Sequence, residues 1–197
     1  VDSDDYKAVF PSLGLRSDSK AAGRWSTSKN GEYFAIGVGG AVTGKGADLL
    51  IIDDPHSEQE GQSADPSVFD RVYDWYTSGP RQRLQPGGAI VVVMTRWNMK
   101  DLTGMLLKSQ KELKSDQWHV IEFPAILPSK KPVWPEYWKL AELESVKASL
   151  SLGKWNAQWM QNPTSEEGAI IKREWWNVWE KESMPPLEHV IQSYDTA

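Results

Sequence analysis

Gly44-Lys45-Gly46-Ala47-Asp48-Leu49-Leu50-Ile51-Ile52-Asp53-Asp54-Pro55 is the stretch around which the rest of this 197-residue chain reads. Four consecutive branched apolar residues run into two adjacent carboxylates, and a proline ends the extended run. An apolar run this short reads as a strand buried on both faces, the kind found in parallel sheets. Functional crevices of open α/β sheets lie at the carboxyl ends of such strands, which puts Asp53 and Asp54 at the edge of a site. Two neighbouring carboxylates repel, so their joint ionisation is easiest beside a cation; Mg²⁺ with a phosphate ligand is the usual solution. The pattern is that of a Walker B strand, with the first acid for the metal and the second to orient or activate a water. The same residues also fit a buried strand that ends in an aspartate cap or turn, and on this stretch alone both readings stay open.

Downstream, Asp65-Pro66 is a strong helix start, an N-cap acid followed by proline at the first helical position. Phe69, Val72, Tyr73 and Tyr76 then fall on one helical face. Ser78-Gly79-Pro80 interrupts that helix, and Arg81-Gln82-Arg83 reads as a solvated basic face, with phosphate contact as the lesser reading. Pro86-Gly87-Gly88 turns the chain into a second fully apolar strand, residues 89–94. Strand, helix of about a dozen residues, strand is a parallel crossover unit. The second strand ends in Thr95-Arg96-Trp97-Asn98. Thr95 is suited to sensing a γ-phosphate and Arg96 to pairing with one, since a guanidinium fork matches phosphate oxygens. The plainer alternative is a salt bridge from Arg96 to Asp53 or Asp54, with Trp97 in the core. Asn98 with Asp101 resembles a capping pair that opens a helix with Leu102, Met105 and Leu106 inward. Residues 118–123 read as a third strand closed by Pro124, and residues 128–135 as a loop carrying Lys130-Lys131. Residues 136–150 read as a helix with Leu140, Leu143, Val146 and Leu150 as its stripe. Trp155 and Trp159 stand on a short helix ended by Asn162-Pro163, a pair more often used for packing than for base stacking. A Trp-rich piece, 172–179, a boundary at Met184-Pro185-Pro186 and a last strand, 189–194, complete the chain.

Upstream, residues 1–30 read as loop with a short helix or turn, and residues 33–38 as a strand. Gly39 to Lys45 matches the spacing of a phosphate-binding loop, G-x-x-x-x-G-K. That loop needs a helix after it and a Ser or Thr after the lysine, yet Gly46 follows and the chain enters a strand; a flexible connection is the better reading.

Composition narrows the class. Hydrophobic content of 40% and charged content of 25% are ordinary for a globular protein, and a net charge of −5 confines any nucleic-acid contact to local patches. Without cysteine there are no disulfides or thiolate chemistry. No apolar run is long enough to span a bilayer, and the three histidines, at 56, 119 and 189, share no ligand spacing. Eleven tryptophans are the compositional oddity, and both ends read as cut from something longer.

Taken in order, Gly37-Val38-Gly39-Gly40, Thr43-Gly44-x-Gly46-Ala47-Asp48, Ile51-Ile52-Asp53-Asp54-Pro55, Thr95-Arg96-Trp97, Phe123-Pro124-Ala125, Gln158-x-x-Gln161-Asn162-Pro163 and Ser193-Tyr194-Asp195-Thr196-Ala197 resemble the large terminase subunit of tailed bacteriophages. The resemblance implies an α/β chain: part of a P-loop-NTPase-like parallel sheet of the additional-strand class with flanking helices, plus the first strand of a ribonuclease-H-like nuclease domain. Residues 1–163 would be the later part of the ATPase motor domain, 164–186 a Trp-rich linker and 187–197 that nuclease strand. Asp53 would hold Mg²⁺–ATP, Asp54 would take the catalytic carboxylate position, and Thr95 and Arg96 would belong to the coupling motif. Asp195 would be the nuclease's first metal-binding aspartate. The family's Walker A lysine would lie upstream of residue 1 and its remaining nuclease acids beyond Ala197, so this chain alone is expected to be catalytically incomplete. The implied work is ATP-driven packaging of double-stranded DNA into a capsid and cutting of concatemers. It would be done in the host cytoplasm, away from membranes, by a homo-oligomeric ring with a portal protein and a small terminase subunit. Two rivals remain on the sequence: a metal-dependent nuclease or hydrolase using Asp53 and Asp54 directly, and a non-enzymatic oligomerisation or adaptor module anchored by tryptophans.

Overall fold

The computed structural model describes residues 1–44, 46–63, 65–113 and 115–164, with Lys20 and Leu113 known by their backbone alone. The chain divides after Thr164, and the elements below all belong to the first unit. The Trp-rich piece, the 189–194 strand and Asp195 lie outside the described residues.

Mixed α/β structure is built here from two sheets. The first is antiparallel, with order β1-β2-β3, formed by β1 (Leu15–Ala21), β2 (Arg24–Thr27) and β3 (Glu32–Phe34), after a short helix α1 (Asp4–Val9). The sequence predicts loop over most of this region. Leu15-Arg16-Ser17-Asp18-Ser19-Lys20-Ala21 carries no apolar alternation to announce a strand. Pairing with β2 makes it one, and a stacked Trp25–Tyr33 pair, ring centroids 4.7 Å apart, supports the β2–β3 register. β3 is also shorter than the expected 33–38 strand.

The second sheet pairs β4 (Ala47–Asp53) with β5 (Leu84–Val93) in parallel, from Leu49↔Ala89 to Asp53↔Val93. Between them run α2 (Glu58–Gly61), α3 (Ser67–Ser78) and a 3₁₀ turn, Pro80–Arg83. The crossover follows from local signals. Asp65 Oδ1 accepts the Ser67 N–H at 2.9 Å, so the acid before Pro66 does cap the helix entry. Phe69, Val72 and Tyr76 are buried on the inward stripe and Tyr73 is half-buried. After β5, α4 (Leu102–Leu113) packs Leu102 and Leu106 into the same core.

That core is one-sided. Leu50, Ile52, Ile90 and Val92 meet Val72, Tyr76, Leu102 and Leu106. Their neighbours on the other face stay open: Leu49 is 54% exposed, Ile51 60%, Val91 44% and Val93 55%. The expectation of strands buried on both faces is therefore corrected. Both flanking helices pack their buried residues on one face, and the alternate residues of each strand are left largely open.

Residues 118–123 form no ladder, so the expected third strand is corrected to a segment without regular structure. Helix α5 (Leu140–Ser149) starts later than the 136–150 stripe suggested, with Leu143 buried and Leu140 exposed. It is followed by α6 (Leu152–Lys154) and a wide π-type turn, Trp155–Trp159. Trp155 and Trp159 stack at 5.7 Å, and Trp159 meets Trp138 edge-on at 5.6 Å, as a packing role for these rings requires.

Candidate functional site

Asp53 is the last residue of β4, and its register partner Val93 is the last of β5. The two acids and Thr95 therefore stand together at the carboxyl ends of paired parallel strands. Asp54 turns the chain sharply: its φ is +40°, in the left-handed region that aspartate tolerates better than most residues. Two bonds hold it there. The Asp54 N–H donates to the Val93 carbonyl at 2.9 Å, and the Thr95 N–H donates to Asp54 Oδ1 at 3.2 Å. Asp53 and Asp54 are both exposed, so their remaining oxygens face solvent.

Behind this turn the chain is pinned by two residues whose roles the sequence alone did not reveal. Pro55 and His56 are buried, and His56 Nε2 accepts the Leu102 N–H at 2.9 Å, satisfying the first amide of α4. The proton of the neutral ring then sits on Nδ1, which is buried and makes no hydrogen bond. Burial pushes the His56 pKa below the usual histidine value, against the pull of Asp101 and Glu60. His56 also sets its ring edge-on to Phe69 at 5.2 Å. No spacing rule flags a lone histidine after Asp-Asp-Pro as a helix-end acceptor.

Asp101 is the second. Wholly buried, it accepts N–H groups from Trp97 (2.9 Å), Asn98 (3.2 Å) and Gly104 (2.9 Å), and pairs with Arg96 Nε at 2.9 and 3.1 Å. Asn98-x-x-Asp101 does mark the start of α4, but the cap lies three residues later than a capping pair led by Asn98 predicts: the carboxylate that caps α4 is Asp101 itself. Arg96 consequently pairs with Asp101 and not with Asp53 or Asp54. Its Nε is committed to Asp101, and Nη2 reaches the Asn98 carbonyl at 3.4 Å. Trp97 is half-buried, its ring lying against the backbone of Gly61 in α2. Arg81 likewise leaves the solvated-face reading. It forms a two-pronged pair with Asp116, 2.6 and 2.8 Å, which raises the arginine and lowers the aspartate pKa.

The Gly39–Gly44 loop is followed by β4, not by a helix; Gly39 and Gly44 take positive φ, and the Trp75 indole N–H donates to the Gly40 carbonyl at 3.2 Å. Lys45 lies outside the described residues. Among the described residues no group of three or more His, Asp or Glu side chains is gathered to hold a metal. The Asp53–Asp54 pair still suits Mg²⁺, which takes one or two carboxylates and fills its octahedron with water and phosphate oxygens.

Beside β5 lies a groove of about 580 Å³, lined by residues 90–96, residues 118–123, Thr103, Leu106 and Leu107 of α4, and Gln161. No protein-family model matches the chain, and no curated protein matches it either.

Proposed function

We propose that residues 1–164 form the metal- and water-handling part of an ATP-hydrolysing DNA-packaging motor of the terminase large-subunit kind. The observation that carries this reading is Asp54, held in a left-handed turn by the Thr95 amide, next to the exposed Asp53 at the end of a parallel strand pair. Two carboxylates are presented outward while the backbone beneath them is fixed from both strands.

In this reading the sheet is part of a P-loop-NTPase-like domain of the additional-strand class, and Asp53 holds Mg²⁺–ATP, directly or through water. When bound, Mg²⁺ supplies charge neutralisation at the phosphate oxygens. Asp54 orients the attacking water, and its bond to Thr95 ties the water's position to the β5–α4 turn. Arg96 contributes through Asp101, as a brace of that turn. Double-stranded DNA, a portal protein, a small terminase subunit, a ring of copies and the host cytoplasm belong to the same proposal. So does metal binding by Asp195 in a nuclease domain.

The test is paramagnetic broadening by Mn²⁺, a Mg²⁺ surrogate, with and without ATP, read on the amide resonances of the chain. Broadening centred on Asp53, Asp54 and Thr95, strengthened by ATP and removed by Asp53→Asn, is expected. Turnover by this chain alone is expected to stay at the buffer rate. Broadening elsewhere, untouched by Asp53→Asn, defeats the reading.

A further inference from the structure

The turn that joins β2 to β3 carries a reactive dipeptide. Of the asparagines, Asn30, Asn98, Asn156, Asn162 and Asn177, only Asn30 is followed by glycine. An asparagine side chain is open to attack by the backbone nitrogen of the next residue, and glycine, with no Cβ, leaves that nitrogen the least hindered. Both residues are exposed, and Asn30 takes a φ of +63°, a left-handed value that asparagine tolerates in a turn. The nitrogen, however, is occupied. The Gly31 N–H donates to Thr27 Oγ1 at 2.9 Å. Two backbone bonds close the same turn: the Thr27 N–H donates to the Gly31 carbonyl at 2.8 Å, and the Asn30 N–H to the Thr27 carbonyl at 3.1 Å. Thr27 is the buried residue of β2, 7% exposed, so its hydroxyl is held in place.

We propose that Asn30 is a deamidation site and that the Thr27 hydroxyl is the latch that holds it closed. In the reaction the Gly31 nitrogen loses its proton to solvent base and attacks Asn30 Cγ. The new N–Cγ bond closes a five-membered succinimide, the Cγ–Nδ2 bond breaks, and ammonia leaves with a proton returned from solvent. Water then adds to either ring carbonyl, and the ring opens to aspartate or to isoaspartate. Neither oxidant nor reductant takes part. While the Gly31 N–H is donated to Thr27 Oγ1, the nitrogen is not free to lose its proton and turn toward Cγ. The step therefore waits on local opening of the turn, which costs far less than global unfolding. Its product is not silent. Isoaspartate routes the main chain through Cβ and lengthens the turn by one atom, and a carboxylate stands where the amide stood. The pairing of Ser26 with Glu32 and of Trp25 with Tyr33 starts from this turn, and turn geometry sets hairpin register. Deamidation at Asn30 is thus a one-way loosening of the antiparallel sheet with age. Nothing in this chemistry depends on the nucleotide reading.

The experiment ages the full 197-residue chain in warm, mildly alkaline buffer and follows each asparagine by peptide mapping, with enzymatic methylation to count isoaspartate. The parent is compared in buffer and in concentrated urea, beside Thr27→Val, which removes the acceptor at the same shape, and Thr27→Ser, which keeps it. Deamidation is expected first at Asn30, and more slowly in the fold than in urea. Thr27→Val should speed it by about ten-fold in buffer, the worth of one hydrogen bond, while Thr27→Ser stays near the parent rate. All three chains should agree in urea, where the latch is gone. One measure needs no variant: exchange of the Gly31 amide in the parent should be slowed by a factor similar to the ratio of its urea and buffer deamidation rates. Four results overturn the proposal. One is equal rates at Asn30 in the fold and in urea, and another is no deamidation at Asn30 in either. A third is a folded Thr27→Val chain that deamidates no faster than the parent. The fourth is an unprotected Gly31 amide beside a slow Asn30, which places the restraint somewhere other than Thr27.

Discussion

Asp101 holds Arg96 through the guanidinium Nε, 2.9 and 3.1 Å from its two oxygens, while the same carboxylate closes three backbone amides. Removing one partner of such a pair leaves a buried charge uncompensated, a loss of about 3–5 kcal/mol. Asp101→Ala should therefore lower the urea midpoint severely. Asp101→Asn should cost less, because an amide oxygen still accepts the Gly104 N–H. Equal losses for the two would mean that the ion pair, and not the cap, dominates.

His56 should make stability depend on pH. Its folded pKa lies below the unfolded value, so the neutral ring is the stabilising form. The contribution is fully present above about pH 6.5, falls as pH drops from there through the folded pKa, and is flat below both. Denaturation at about pH 7.5 and about pH 5 should show the fall in the parent, and His56→Gln, which keeps an acceptor for Leu102 but does not titrate, should flatten it.

Gly61→Ala reverses the ordinary rule. Alanine in a helix is favoured over glycine by about 1 kcal/mol, but a Cβ at residue 61 would run into the Trp97 ring. A lower melting temperature with a shifted tryptophan emission is expected. The same holds at Gly104, where a Cβ would collide with the Met99 carbonyl. A rise in melting temperature for Gly61→Ala would show that Trp97 can swing aside.

Tyr76→Phe should be neutral or stabilising. The phenol is buried with no hydrogen-bond partner, and removing an unpaired polar atom removes a desolvation penalty. Burial raises its pKa to about 12. The fold therefore tolerates the neutral phenol better than the phenolate: Tyr76 leaves stability flat below its unfolded pKa near 10 and lowers it as pH rises from there through about 12. Ultraviolet titration should lose one late-ionising tyrosine in the variant. Loss of more than about 2 kcal/mol would mean that the hydroxyl is satisfied in solution.

The parallel pair was legible because its signals are local: an apolar run, a capped helix, a second apolar run. The antiparallel sheet was not, because β1 owes its conformation to Arg24 and Trp25 across the turn and not to its own pattern. The acids and Thr95 could be placed from the ends of their strands. The partner of Arg96 could not, since Asp101 competes with Asp53 and Asp54 only once α4 is folded back on the sheet. Burial on both strand faces was inferred from four apolar residues in a row, but such a run says only that both faces are greasy, not that both are covered. His56 illustrates the same limit: acceptors for a helix's first amide are chosen by packing, 46 residues away in the chain.

The separation of β4 from β5 has a consequence for synthesis. Trp25 pairs with Tyr33 only eight positions on, so the antiparallel sheet can close as soon as it is made. Leu49 pairs with Ala89, forty positions later. At about 5–20 residues per second, a ribosome takes about 2–8 s to cover that interval. For those seconds Leu49, Leu50, Ile51 and Ile52 leave the exit tunnel as a bare, uncharged strand with no ladder to join. Chaperone capture of the nascent chain is therefore expected to fall on this strand first and to end when Val93 emerges.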